Sequence, residues 1–422
     1  MKKLRSGRMV CLILAFWAAT AMIPLAQTFE TILSFNGIDG RSPGRGPLVQ
    51  ANNGHLYGTT TFGGVRDSGT VFEITPGGRL TTLYSFCSKR NCSDGIYPYS
   101  GLIQATDGDL YGTTSLGGAQ GFGTVYKISL TGKLTTIYSF CSQPSCADGG
   151  GPMAGLLQAP TGKFYGTTNF GGATCSNNDN CGTVFELTPA GKLTTLHSFC
   201  SQTNCSDGLI PFTDGLVQAA DGSIYGATMY GGVAANCLDG FGCGTIFKVF
   251  PTGELTTIYN FCALPGCADG AGSSGLVQGT NGNFYATTES GGQNGYGTFF
   301  EITPSGKLTT LYSFCPEGNC SASGFSVGAA LAQARDGNFF YGSAQNGGAN
   351  GYGAVFKITP AGELTVLHSF DVTRGGIYGG GGLVQATDMT LYGTTMEGGI
   401  YPKCPGGCGT VFGVSVSARS SK

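Results

Sequence analysis

Six acids of this chain stand at positions its internal pattern does not repeat: Asp67, Asp179, Asp214, Asp239, Glu289 and Glu397. A side chain with a purely structural role should recur with the pattern, so these acids are the better candidates for function. Two carboxyls such as Asp214 and Glu289 could serve as acid and base on a glycosidic bond, provided the fold holds them at the required separation. Four other acids, Asp94, Asp148, Asp207 and Asp269, each follow a cysteine at a fixed interval and precede glycine. Their recurrence points to turn chemistry, in which a carboxylate accepts from nearby backbone N–H groups. Calcium ligation is the rival, but the pattern of alternating acidic oxygens is missing.

Aromatic residues form a second candidate set. Phe122, Phe241, Tyr296 and Tyr352 lie between or beside glycines, and Phe62, Phe170 and Tyr230 precede Gly-Gly. They could pack over their own loops or offer a stacking platform to sugar rings or a protein partner. The three histidines are less promising. His197 and His368 take a place filled by Tyr84, Tyr138, Tyr259 and Tyr312 elsewhere, and His55 follows a tight turn. No nucleophile elbow and no histidine pair with metal-ligand spacing occurs. Neither a metal nor a cofactor is expected.

Cysteine usage bears on the compartment. Of 17 cysteines, Cys11 lies in a basic, then apolar, then small-residue leader over 1–26 that reads as an export signal, cleaved between about 21 and 27. Its apolar run is too short to favour a membrane span. The remaining cysteines fall into eight close pairs: Cys87 with Cys92, Cys141 with Cys146, Cys175 with Cys181, Cys200 with Cys205, Cys237 with Cys243, Cys262 with Cys267, Cys315 with Cys320, and Cys404 with Cys408. In an oxidising compartment these read as local disulfides, and export disfavours the alternative of zinc sites. Charged residues make up 11% of the chain and the net charge is −2. Neither nucleic acid nor an anionic membrane surface is an expected partner.

The elements that must carry these residues are repeated. A Tyr-Gly-Thr-Thr-like box begins at Tyr57, Tyr111, Tyr165, Tyr225, Tyr285, Tyr341 and Tyr392, and a Gly-Thr-Val-Phe-like box begins at Gly69, Gly123, Gly182, Gly244, Gly297, Gly353 and Gly409. A third box, Leu-Thr-Thr-Leu-Tyr-Ser-Phe, ends at Phe86, Phe140, Phe199, Phe261, Phe314 and Phe370. Its seventh copy, Thr28 to Phe35, stands ahead of every other box, and the last repeat lacks one. An open array has no use for that offset. A closed ring needs it, because the leading strand then completes the final sheet and removes the free edges.

The expectation is therefore an all-β, seven-bladed propeller over 28–416, with four antiparallel strands (a to d) per blade and a short tail at 417–422. Strand a is the Gly-Leu-hydrophobic-Gln-Ala segment, and the three boxes supply b, c and d. Asn-Gly or Asp-Gly between a and b predicts a two-residue hairpin turn. Pro-x-Gly joins c to d. The b–c and d–a connections are long and rich in glycine, and up-and-down topology puts them, with all eight cysteine pairs, on one face. The glutamines at 50, 104, 158, 218, 278, 333 and 385 predict an inter-blade hydrogen-bonded ring.

The run from Gly101 to Thr114, Gly117-Gly118-Ala119, and the segments 121–128 and 134–140 resemble the GloVer (Gloeo/Verruco) tandem repeat. The resemblance spans nearly all of residues 28–416. It implies a secreted or surface location in environmental bacteria and carries no catalytic residues with it. The sequence as a whole reads as a secreted, monomeric, non-catalytic module that takes an extracellular glycan or protein on its disulfide-rich face. An extracellular lyase or hydrolase is the first alternative, and a structural envelope or matrix protein the second.

Overall fold

The computed structural model describes residues 28–416 apart from 174, 176–179, 212–214, 234–236, 238–240, 317–318, 326, 329, 373–375, 402 and 405. The leader and tail expected at 1–26 and 417–422 lie outside the described residues, as do Asp179, Asp214 and Asp239.

Seven antiparallel sheets follow one another around a ring. In the second blade the order is Ile103–Gln104, Leu110–Thr114, Thr124–Ile128 and Leu134–Ser139, that is a, b, c and d from inside outward. Threonines, tyrosines and β-branched residues dominate these segments, as a pleated, half-buried surface favours. The leading strand Phe29–Ser34 pairs with Thr410–Ser415, Phe29 opposite Val414 and Ser34 opposite Thr410. It carries a bulge between Thr31 and Leu33 at the place where Leu134–Ser139 carries one between Thr136 and Tyr138. The first strand is thus the missing outer strand of the seventh blade, and the ring is closed.

Each core cluster forms between consecutive blades. Tyr57, Val71 and Phe86 of blade 1 pack on Leu102, Leu110 and Tyr126 of blade 2. Phe35, ahead of blade 1 in sequence, joins Val411 of blade 7 against Leu48, Leu56 and Phe72 of blade 1. The closing contact repeats the geometry of the others: Phe35 meets Phe72 edge-on at 5.1 Å, and Phe86 meets Tyr126 edge-on at 5.1 Å. Within most blades the second threonine of the Tyr-Gly-Thr-Thr box bonds the threonine that opens strand c, as Thr114 does Thr124 at 2.8 Å, both buried. Blade 6 carries Ala344 and Ala354 at both places, facing one another. Losing both hydroxyls leaves no orphan, whereas losing one would.

The structure corrects the a–b turns. Gly54 N donates to Ala51 O (2.8 Å) and Ala51 N to His55 O (2.9 Å), so the loop holds three residues. Gly54 takes the left-handed conformation (φ +82°), and Asn53 is not among the residues of positive φ. A type I turn followed by a left-handed glycine replaces the two-residue turn expected from Asn-Gly. The glutamine ring forms as anticipated over much of the circle: Asn52 N donates to Gln104 Oε1, Thr106 N to Gln158 Oε1, and Thr387 N to Gln50 Oε1, each at 2.9 Å. Pro160 has no N–H to offer at the next such place.

Candidate functional site

All eight expected cysteine pairs are disulfide-bonded, on one face of the ring. Five lie in d–a loops: Cys87 with Cys92, Cys141 with Cys146, Cys200 with Cys205, Cys262 with Cys267, and Cys315 with Cys320. Three lie in b–c loops: Cys175 with Cys181, Cys237 with Cys243, and Cys404 with Cys408. In each b–c loop the second cysteine (Cys181, Cys243 or Cys408) is buried and directly precedes the glycine that opens strand c. Those crosslinks therefore anchor the loop to the sheet.

The d–a loops show what their bonds oppose. Cys87, Asn91 and Cys92 all sit at φ between +49° and +58°, and Cys200, Asn204 and Cys205 do the same between +52° and +57°. Non-glycine residues enter that region at a cost, so a local crosslink is needed to hold several together. Most of these loops are also tied from within. The buried Asp94 carboxylate accepts from Tyr84 Oη, from Ser88 N and Oγ, and from Lys89 N, at 2.8 to 3.2 Å. Asp148 repeats this set, Asp269 most of it, and in Asp207 the tyrosine's place is taken by His197 Nε2 at 3.0 Å. The loop of Cys315 and Cys320 has no such aspartate. There Cys315 N donates to the buried Ser323 Oγ at 3.0 Å. The four aspartates do the turn work expected of them. Burial pushes the Asp94 and Asp207 carboxyls up, but the hydrogen bonds outweigh it and hold both below the usual carboxylate range.

The aromatic residues divide. Most reach across to the next blade: Phe62 meets Tyr97 edge-on at 5.1 Å, Tyr296 meets Phe325 at 5.1 Å, and Tyr352 meets Tyr378 at 6.4 Å. Phe122 reaches Gly150 and Gly151 of the third blade, with Gly151 N donating to Phe122 O (2.8 Å), whereas Phe170 packs on Gly151 inside its own blade; the cross-blade contacts are seams. Phe241 is different: it stands 65% exposed, edge-on to Tyr230 at 6.3 Å. His368 stacks on Phe29 at 3.6 Å, and burial lowers its pKa. His55 pairs with Glu73 at 2.6 Å on the opposite face.

The non-repeating acids also separate. Asp67 forms an ion pair with Arg41 at 2.9 Å. Glu397 sits where other blades carry Phe62 or Phe170, beside Gly406 of its own loop. Glu289 alone of the described ones borders a large recess. It follows the Tyr-Ala-Thr-Thr segment of blade 5, where other blades place Thr61, Ser115, Asn169, Met229, Gln345 and Met396. These seven side chains differ from blade to blade and cluster where strand b meets the long-loop face.

Glu289 converges with residues from two other blades. A Cβ on Gly328 would lie 3.1 Å from Glu289 Oε1, 3.8 Å from Gln345 Nε2 and 3.9 Å from Arg45 Nη1. Arg45 comes from the far side of the ring through an insertion. Gly44 N and Ser274 N make equivalent bonds to Thr59 O and Thr287 O. Yet Gln50 follows Gly44 by six residues, and Gln278 follows Ser274 by four. The extra length carries Arg45 to the axis, where its N–H donates to Tyr99 O and its carbonyl accepts from Gly382 N. Burial raises the Glu289 carboxyl above its ordinary pKa, and the Arg45 charge offsets part of that rise.

On its other side Glu289 borders a cleft of about 830 Å³ between blades 4 and 5. Met229, Tyr230, Leu264 and Pro265 line it, together with both members of the disulfides Cys237–Cys243 and Cys262–Cys267. The sulfurs of Cys237, Cys243 and Cys262 lie within 4.8 Å of one another. All three are consumed in disulfides, so they offer no thiolate to a metal. A hollow of about 890 Å³ also opens on the short-turn face, but its glutamines Gln50, Gln104 and Gln385 are engaged in the inter-blade ring. The cleft is therefore the better candidate.

A family model for the Gloeobacter/Verrucomicrobia repeat matches residues 20–241 and 212–422, between them almost the whole chain. The chain belongs to that family. No curated protein matches it in a sequence comparison. Among solved structures, a luciferin-regenerating enzyme superposes with a TM-score of 0.47 at 11% identity, covering 93% of this chain and 96% of that one. A PQQ-bound aldose sugar dehydrogenase from Streptomyces coelicolor gives 0.43 at 14%, covering 93% and 99%. A gluconolactonase from Xanthomonas campestris gives 0.44 at 11%, covering 81% and 89%. Likeness at this level concerns the general build of the chain, and no activity follows from it.

Glu289 was a candidate from the sequence because it does not repeat; Arg45, Gln345, Met229 and Leu264, which the structure brings near it, were not singled out there. A signal for Arg45 was present, as a spacing from Gly44 to Gln50 longer than that from the equivalent Ser274 to Gln278.

Proposed function

We propose that this protein is a secreted, non-catalytic module that binds extracellular saccharide in the cleft between blades 4 and 5. The cleft itself carries this reading: it has the volume of a small-molecule site, apolar walls and one largely desolvated polar group at its edge. Its loops are crosslinked on both sides, so little conformational entropy is lost when a ligand settles there. The exposed ring of Phe241, edge-on to Tyr230, provides a face on which a pyranose could stack. The paired cysteines support export, and no helix among the described residues is long and apolar enough to cross a membrane.

The raised pKa of Glu289 favours a second reading, a glycoside hydrolase or lyase that uses this carboxyl as its acid. That chemistry needs a partner carboxyl or an equivalent base. Titration calorimetry against neutral and charged oligosaccharides, with chromatography of the same mixtures for released product, separates the two. Saturable heat without product supports binding; product formation abolished by Glu289→Gln supports the enzyme. No heat and no product with any saccharide overturns both.

A further inference from the structure

The cleft has an electrostatic preference. Its ionisable side chains, among the described residues, are Glu289 and the phenol of Tyr230. Glu289 makes no hydrogen bond or ion pair with any described residue. Arg45 approaches it from the axis, past Gly328, and does not line the cleft. A saccharide bearing carboxylate or sulfate would therefore meet a carboxyl in a cleft that no cation lines, Arg45 acting on Glu289 only from the axis side, and like charges juxtaposed in a recess are costly. A cationic group would find the opposite. Removing the four basic residues of the leader leaves a chain of net charge −6, which favours the approach of cations from a distance.

We propose that the ligand of the cleft is an amine-bearing saccharide of the 2-amino-2-deoxyhexose class, with its ammonium paired to Glu289. The claim rests on the saccharide reading above and adds the ligand's charge. The sugar ring lies against Tyr230 and Leu264, so the apolar walls take the C–H face while the carboxylate takes the amine. Ammonium binding would add to the partial offset that Arg45 already gives the half-buried Glu289 carboxyl, since a closely paired carboxylate withdrawn from water is better placed than a distantly compensated one. Acetylating the amine removes its charge and leaves ring and hydroxyls in place, so the acetylated sugar is the natural control.

The test is calorimetric titration of the full mature chain with a glucosamine hexamer, its fully N-acetylated counterpart and a neutral glucose hexamer, for wild type, Glu289→Gln and Glu289→Asp. The expected result is at least about tenfold tighter binding of the glucosamine hexamer than of the other two. Glu289→Gln should erase that preference while weak binding of all three persists, and Glu289→Asp should retain part of it. Equal affinity of the three sugars, or a preference that survives Glu289→Gln, overturns the amine assignment and leaves saccharide binding standing. Binding of none overturns the saccharide reading itself. If Glu289→Gln fails to fold, the wild-type preference and its retention in Glu289→Asp decide the matter.

Discussion

The two faces of the ring are built on different chemistry. On the short-turn face, three-residue hairpins are ringed by ion pairs, Lys127 with Asp107 and Asp109, Lys163 with Glu186, and Lys248 with Asp221. On the long-loop face such pairs are few among the described residues, and every exposed large hydrophobic side chain except Met389 is found there, including Val65, Val233, Phe241, Leu264 and Ile400. One face is short, charged and self-sufficient. The other spends eight disulfides and a set of buried aspartates on holding long loops open to solvent. Turns that need only close a hairpin can be minimal, whereas a surface that must present a shape requires its own internal frame.

Perturbations should separate the faces. Deleting residues 28–35 removes the outer strand of blade 7 and the Phe35 contact, so both faces should fail together, seen as a large drop in melting temperature or loss of a cooperative transition by circular dichroism. A deletion that melts with the full chain would show that the ring does not depend on this strand. Reducing the disulfides should act on one face. Each closed loop contributes roughly 2 kcal/mol on the chain-entropy account, and hydrogen exchange should rise first around 87–95, 141–149 and 262–270, while 107–111 and 303–307 stay protected. Equal deprotection of both faces would refute the contrast.

Asp94→Asn keeps the shape but sets an amide N–H against donors, with an expected loss of about 1–3 kcal/mol in chemical denaturation. The carboxylates give the same face an acid sensitivity. The folded pKa values of Asp94 and Asp207 lie below their unfolded values, so their contribution is complete above the unfolded carboxylate pKa and is lost as pH falls through the folded one. Stability measured against pH should decline on the acid side of about 4, and less steeply in Asp94→Asn. At the small end, Lys127→Ala on the short-turn face removes an exposed pair and should cost no more than about 1 kcal/mol. A larger loss there would blur the distinction between the faces.

How much of this could be read beforehand follows from what kind of information each feature needs. The ring could be read because an offset copy of one box, Thr28 to Phe35, has a single use in a closed structure. The disulfides could be read because their partners are close in sequence. The aspartate turns were visible because they recur. The a–b turns were misassigned because Asn-Gly suits both a two-residue and a three-residue loop, and only the register of Val49 and Gln50 against Leu56 and Tyr57 decides. The aromatic seams were ambiguous because Tyr97, Phe325 and Tyr378 meet their partners across a blade boundary. Arg45 showed in the sequence only as a longer spacing, because the residues it approaches, Glu289 and Gln345, belong to blades 5 and 6, far from its own repeat.

The bond between Thr28 and Ser415 spans 387 positions of the chain. In biosynthesis Phe29–Ser34, the earliest of the described strands, is consequently the last of them to find its partner. It must wait unpaired, with its hydrogen-bonding edge available to other chains, until Thr410–Ser415 has followed it. Blades 2 to 6 can assemble from local pairings while this strand is held in reserve, and the pairing of highest sequence separation, between Phe29–Ser34 and Thr410–Ser415, is the one expected to form slowly. One strand therefore stays exposed until the blade it completes has been made.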